Sequence, residues 1–300
     1  MIISASRRTD IPSYYSEWFY NRVKEGFVLA RNPMNFHRIS RISLAPEAVD
    51  GIVFWTKNPV PMLGKLGALR EHMYYFQFTV TPYGKDIEPC LPSKRGVILP
   101  AFKELSGMLG ADRVIWRYDP ILINAQYTEE YHIRAFGEIA GELRGFTKKV
   151  TVSFIDADYR AVKSRGKELA LTGFPPEAQI ELISRLAGIA RGHGLALDIC
   201  AAQTDLSRYG VGRARCVDGE LLSNLLDRRL DIGKAKSQRP GCGCAESVDV
   251  GAYNTCRNGC LYCYANYNQN AVAGNAAGHD PLSPLISGKA GENDKISERK

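Results

Sequence analysis

Apolar and polar positions along this chain follow two alternating periods. Short runs rich in apolar, β-branched and aromatic residues at 1–6, 51–56, 74–80, 113–118, 149–155 and 195–201 predict strands, and 247–251 predicts a weaker seventh. Between them the spacing becomes helical. Tyr15, Trp18, Phe19 and Val23 recur on one face after Pro12-Ser13, with Gly26 as a stop. Phe102, Leu105 and Leu109 mark a second helix, and Thr128 suits the N-cap of a third carrying Ile133, Phe136, Ala140 and Leu143. Pro175-Pro176 opens a fourth, with Ile183, Leu186, Ala187 and Ala190 inward, and Asp218 caps a fifth that carries Leu221, Leu222, Leu225 and Leu226.

Strands that are apolar on both faces suit a parallel sheet covered on both sides. Strand and helix repeated six or seven times predict an α/β fold of the complete or partial (β/α) barrel kind, TIM-like, with an open doubly wound sheet as the second choice. The expected organisation is a barrel body over 1–235, a cysteine-rich cluster-binding segment over 236–270 that completes the barrel, and an extended tail over 271–300. The tail is rich in Gly and Pro and has almost no periodic apolar face.

Composition narrows the picture. The 300 residues are 45% hydrophobic and 24% charged, which excludes a disordered or fibrous chain. The apolar runs fall far short of the ~18 residues that span a bilayer, so no membrane partner is expected. The first ten residues place charges after the apolar positions, unlike a secretion signal, and the expectation is a cytoplasmic protein. Lys and Arg exceed Asp and Glu by 39 to 32, a surplus of seven that suits an anionic or nucleotide-like substrate.

In a parallel barrel the chemistry gathers at the carboxyl ends of the strands. Here those ends are polar: Ser6-Arg7-Arg8-Thr9-Asp10, Thr56-Lys57-Asn58, Thr79-Val80-Thr81, Arg117-Tyr118-Asp119, Ser153-Phe154-Ile155-Asp156 and Cys200-Ala201-Ala202-Gln203. Any strand end turns polar on reaching water, and Arg117 can simply pair with Asp119 on the rim. Collectively, however, they predict one mouth, with Trp55, Trp116 and several tyrosines keeping it partly dry. Lys57, Arg117 and Asp119 are the candidate catalytic residues. Arg7, Arg8, Asp10, Thr56 and Asp156 are candidate cofactor-binding residues, and Lys57 and Arg117 suit a carboxylate or phosphate. The histidines at 37, 72, 132 and 193 lack partner spacing and read as surface residues.

Five of the eight cysteines fall between 242 and 263, and Cys256, Cys260 and Cys263 form a C-x3-C-x2-C run. Without a secretion signal such clustering favours a metal over disulfides. Three thiolates on so short a loop can hold three irons of one [4Fe-4S] cube and leave the fourth open. Zinc is the other choice, with Cys242 or Cys244 as the fourth ligand.

The run resembles the motif of the radical S-adenosylmethionine superfamily, C-x3-C-x-aromatic-C, with Tyr262 in the aromatic slot. The stretches 4–12 and 54–59, and the flanks 249–256 and 263–266, resemble the bacterial family called domain of unknown function 1848, over nearly the whole chain. The resemblance implies that Cys256, Cys260 and Cys263 ligate a [4Fe-4S] cluster whose open iron binds S-adenosylmethionine, with Tyr262 at the cofactor. It further implies hydrogen abstraction by a 5′-deoxyadenosyl radical and an electron donor such as flavodoxin or ferredoxin. The motif stands late in the chain instead of after the first strand, and the superfamily's Gly-Gly-Glu run is absent from the sequence. A permuted order keeps the geometry if 247–251 is the strand that feeds the cluster loop.

Cys200, Cys216, Cys242 and Cys244 are either a second [4Fe-4S] centre or, in part, core residues. A zinc or iron-sulfur nucleic-acid-binding protein without radical chemistry is the alternative function. The positive charge and the tyrosines at 253, 262, 264 and 267 speak for it.

Overall fold

The computed structural model describes residues 1–202, 204–236, 238–239 and 241–299, so Gln203 of the strand-end set lies outside the described residues. The strands are β1 (Ile2–Ala5), β2 (Phe27–Arg31), β3 (Arg38–Ser43), β4 (Gly51–Thr56), β5 (Tyr74–Thr79), β6 (Val114–Ile121), β7 (Lys149–Phe154), β8 (Ala196–Ile199), β9 (Val211–Arg213), β10 (Val248–Asp249) and β11 (Lys295–Arg299). Eight of them form one parallel sheet in the order β10-β1-β4-β5-β6-β7-β8-β9. All seven strands expected from the sequence are in it. The expected α/β class therefore holds as a large parallel sheet, and among the described residues no pairing closes β9 onto β10.

Side-chain parity assigns the two faces. Ile3, Ile52, Phe54, Phe76, Phe78, Trp116 and Val152 point to the helices, where they meet Trp18, Phe19, Phe102, Leu105, Phe136 and Leu186 in one buried cluster. Ile2, Val53, Tyr75 and Ile115 point the other way, against Val217, Leu222, Cys216, Cys242 and Cys244. Ser4, Trp55, Gln77, Arg117 and Ser153 share that second parity, so the inner face turns polar toward the carboxyl ends of the strands.

The helices follow the expected signals. Helix Ser16–Glu25 stops at Gly26 with φ +76°, and Thr128 caps Glu129–Leu143 by accepting from Tyr131 N at 3.2 Å. Pro176 begins Pro176–Gly192, and Asp218 accepts from the amides of Glu220 and Leu221 to start Gly219–Leu225. Among the described residues no helix is long and apolar enough to cross a membrane.

Two expectations are corrected. The last thirty residues are not simply extended: helix Gln269–Ala277 lies there, and β11 joins β3 and β2 in a second, three-stranded sheet. That segment has no apolar periodicity of its own because its backbone is held by another element. Trp18, Asn21 and Arg22 of helix Ser16–Glu25 donate to the carbonyls of Ser283, Pro281 and Leu282. His72 and His132 are buried, not at the surface. His132 is satisfied at both nitrogens, between the Leu122 carbonyl and the Tyr118 hydroxyl, while His72 meets the Leu44 carbonyl through Nε2 alone.

Candidate functional site

β10 pairs with β1, Ser4 opposite Asp249, so the loop that leaves β10 emerges beside the loop that leaves β1. Asp249 joins the two. Its carboxylate accepts from Ser6 Oγ at 2.6 Å, Arg7 N at 2.9 Å, Ser4 Oγ at 3.1 Å and Gly251 N at 3.0 Å. The approach is close enough to require glycine, because a Cβ on Gly251 would stand 2.1 Å from Ser6 Oγ.

The cysteine loop is held from several sides. Asn258 Nδ2 donates to Asp10 Oδ2 at 3.0 Å, and the same carboxylate accepts from Thr56 Oγ1 and Lys57 N, both at 2.8 Å. Burial pushes the Asp10 carboxyl up, against these four donors counting Ser13 N. Tyr14 donates to Asn258 Oδ1, and Tyr15 to the Thr255 carbonyl. Arg165 clamps the far end of the loop, donating to the carbonyls of Cys260, Leu261 and Asn266 at 3.2, 3.1 and 2.7 Å.

A buried ion cluster supports the other flank. The Glu88 carboxylate is fully enclosed and accepts from Lys57 Nζ at 2.8 Å, Lys94 Nζ at 2.6 Å, Thr81 and the Tyr262 hydroxyl. Burial would raise its pKa, but the two ammonium groups outweigh that and hold it at about 2. Lys57 also lies 5.4 Å from the centre of the Tyr262 ring. At the end of β6 Asp119 pairs with Arg117 and accepts from Ser153, and the guanidinium outweighs burial to keep its carboxyl low.

Between these walls lies one cavity of about 300 Å³. Every candidate residue named from the sequence lines it: Arg7, Arg8, Asp10, Thr56, Lys57, Arg117, Asp119, Asp156, Tyr262, the three loop cysteines, and Cys200, Cys216, Cys242 and Cys244. They are not equally free. Thr56 and Asp10 are bonded to each other, and Lys57 is engaged by Glu88. Arg8 turns toward the Gly251 carbonyl and the Tyr253 ring, while Asp156 faces Arg239 at 3.4 Å. Arg7 differs: its guanidinium stacks on Trp55 at 5.1 Å, and its Nη2 is buried with no acceptor among the described residues.

Burial pushes the thiol of Cys256 up to about 12, that of Cys260 well above its ordinary value, and that of Cys263 up as well. Thiols raised in this way are protonated at neutral pH. Among the described residues no three His, Cys, Asp or Glu side chains surround a common point closely enough for a single metal ion.

Sequence reasoning missed Glu88, Asp249, Asn258 and Arg165. Glu88 lies in a loop with no periodic pattern and Arg165 in a short turn between helices, so neither had a local signal. Asp249 and Asn258 flank or fall within the cysteine motif and could have been found as polar residues at the exit of the last strand.

Fold and site together define a parallel α/β protein with a cysteine-lined pocket at the strand ends. The chain belongs to the family described as Domain of unknown function (DUF1848), whose profile matches residues 2–265. No curated protein matches it. Among solved structures it is similar to D-hydantoinase from a Bacillus sp. AR9, with 13% identity, a TM-score of 0.31, and 56% of this chain aligned to 39% of that one. The likeness to dihydropyrimidinase from Brevibacillus agri NCHU1002 has 12% identity and a TM-score of 0.30, with 65% of this chain aligned to 38% of that one. Both alignments span under two-fifths of the other protein.

Proposed function

We propose that this protein is a radical S-adenosylmethionine enzyme built on a partial (β/α) barrel, with a [4Fe-4S] cluster on Cys256, Cys260 and Cys263. The observation that carries the reading is the placement of this C-x3-C-x2-C loop: it leaves a strand adjacent to β1 and lines the same cavity as the polar strand ends. Sheet order supports the barrel, since each strand from β1 through β4 to β9 adds on the same side, as in a singly wound sheet curling on itself. The position of β10 supports the permuted order, in which the last strand feeds the cluster loop.

When bound, the cluster with its open iron would hold S-adenosylmethionine and, on reduction by a carrier such as flavodoxin or ferredoxin, supply a 5′-deoxyadenosyl radical for hydrogen abstraction. The chain's own residues do the rest. Asp10 and Arg165 fix the loop, and Glu88 holds Lys57 charged and the Tyr262 ring in place. Trp55 keeps the side of the cavity beside Arg7 and Arg117 apolar. Of the tyrosines cited for nucleic-acid stacking, Tyr262 and Tyr264 are turned inward to Glu88 and the Arg7 carbonyl, which favours an enzyme over that alternative.

The test is anaerobic reconstitution followed by dithionite and S-adenosylmethionine. The wild type should release 5′-deoxyadenosine, and Cys256→Ala, Cys260→Ala and Cys263→Ala should each reduce that release at least a hundredfold. An iron-loaded wild type that releases none, or a colourless protein with one stoichiometric zinc, overturns the reading.

A further inference from the structure

Four cysteines remain outside the 256–263 loop. Cys200 follows β8, Cys216 follows β9, and Cys242 and Cys244 precede β10, so three separate chain segments bring them to one wall of the cavity. There the side chains meet in series: Cys200 against Cys216, Cys216 against Cys244, and Cys244 against Cys242. Cys216, Cys242 and Cys244 are buried in the cluster that covers the inner face of the sheet.

Cysteines that merely fill a core do not gather charge. These have three guanidiniums around them. Arg117 Nη1 donates to Cys216 Sγ at 2.9 Å, and Arg239 Nη2 lies 3.7 Å from Cys200 Sγ. Arg7 faces Cys244 and Cys216, and its Nη2 is a buried donor with no acceptor among the described residues. Arg117 and Arg239 also face the carboxylates of Asp119 and Asp156, but a buried Arg7 nitrogen left without an acceptor is unfavourable in a water-poor wall.

We propose that Cys200, Cys216, Cys242 and Cys244 hold a second [4Fe-4S] cluster, in the same cavity as the first but independent of it. Four thiolates complete the ligand set of one cube, and with a 2+ core the assembly carries two negative charges for the arginines to offset. Zinc on four thiolates would carry the same charge, so charge does not decide between them. One observation does: structural zinc sites typically pair their cysteines as C-x2-4-C, whereas these come as Cys242-x-Cys244 and two single residues from other segments.

Counting iron and acid-labile sulfide after anaerobic reconstitution tests this without any assay of turnover. The wild type should carry about eight of each, from two four-iron sites, and its reduced EPR spectrum should contain two signals. Cys256→Ser/Cys260→Ser/Cys263→Ser should retain about half the iron, and so should Cys242→Ser/Cys244→Ser. The milder Cys200→Ser, at a half-buried position, should lose the second signal even if the double variant does not fold. Four irons that survive every substitution in this quartet overturn the proposal and leave the radical reading standing. Four irons lost from the quartet variants but kept without Cys256, Cys260 and Cys263 do the reverse. Stoichiometric zinc, or a Cys242–Cys244 disulfide in the anaerobic protein, also overturns it.

Discussion

Glu88 shows how a single residue can matter more than its sequence context suggests. Its carboxylate is the shared counter-ion of two ammonium groups in a water-excluded wall, and removing one partner of a buried ion pair exposes the full desolvation cost of the other. Glu88→Gln should therefore destabilise the protein by roughly 3 kcal/mol, measured from urea unfolding at pH 7. Lys94→Met should cost less, because Lys57 still faces the carboxylate. The pH dependence has a definite sign. With its folded pKa depressed, Glu88 contributes stability that is fully present above its ordinary 4.5 and is lost as pH falls from there toward about 2. The candidate site was legible at this level where a residue sits at a strand end or in the cysteine run. Glu88 escaped because the partners that tie it to the site, Lys57 and Tyr262, are 31 and 174 positions away, and no local pattern records such a contact.

Among the elements, β4 packs closely against helix Gly219–Leu225. A Cβ on Gly51 would stand 2.5 Å from Leu222 Cδ2 and 2.9 Å from Cδ1, so the strand approaches the helix only because residue 51 lacks a side chain. Gly51→Ala should cost about 1 to 3 kcal/mol by overpacking. Leu222→Ala in the same chain should relieve that clash, so that the double variant is less destabilised than the sum of the singles; strict additivity in denaturant titrations would refute the contact. Seven of the eight strands of the main sheet were legible to within about three residues because each is an apolar run bounded by polar turns. β2, β3, β9 and β11 were not. β9 spans only three residues, β11 is exposed throughout, and the Arg-Ile-Ser-Arg-Ile-Ser of β3 follows neither period cleanly.

The whole molecule should weaken below neutral pH for a reason that lies far from the cysteines. Burial lowers the His132 pKa to about 4, and the neutral ring is held between Tyr118 and the Leu122 carbonyl. A histidine with a depressed folded pKa contributes stability that is complete above its ordinary 6.5 and is lost as pH falls toward 4, amounting to roughly 3 kcal/mol over that window. Urea midpoints should be level from pH 8 to 7 and then decline, and His132→Gln should flatten the decline between pH 6.5 and 5. Hydrophobic period and cap chemistry are local properties, so the sequence by itself determined the α/β class, seven strands of the main sheet, five helices and the loop carrying Cys256, Cys260 and Cys263. Only the tertiary structure decided which polar groups are spent on one another, that Arg7 is left with an unpartnered nitrogen, and that Cys200, Cys216, Cys242 and Cys244 share one wall. Those outcomes depend on strand order and register, which bring segments together across dozens to hundreds of residues and leave no periodic trace in the chain.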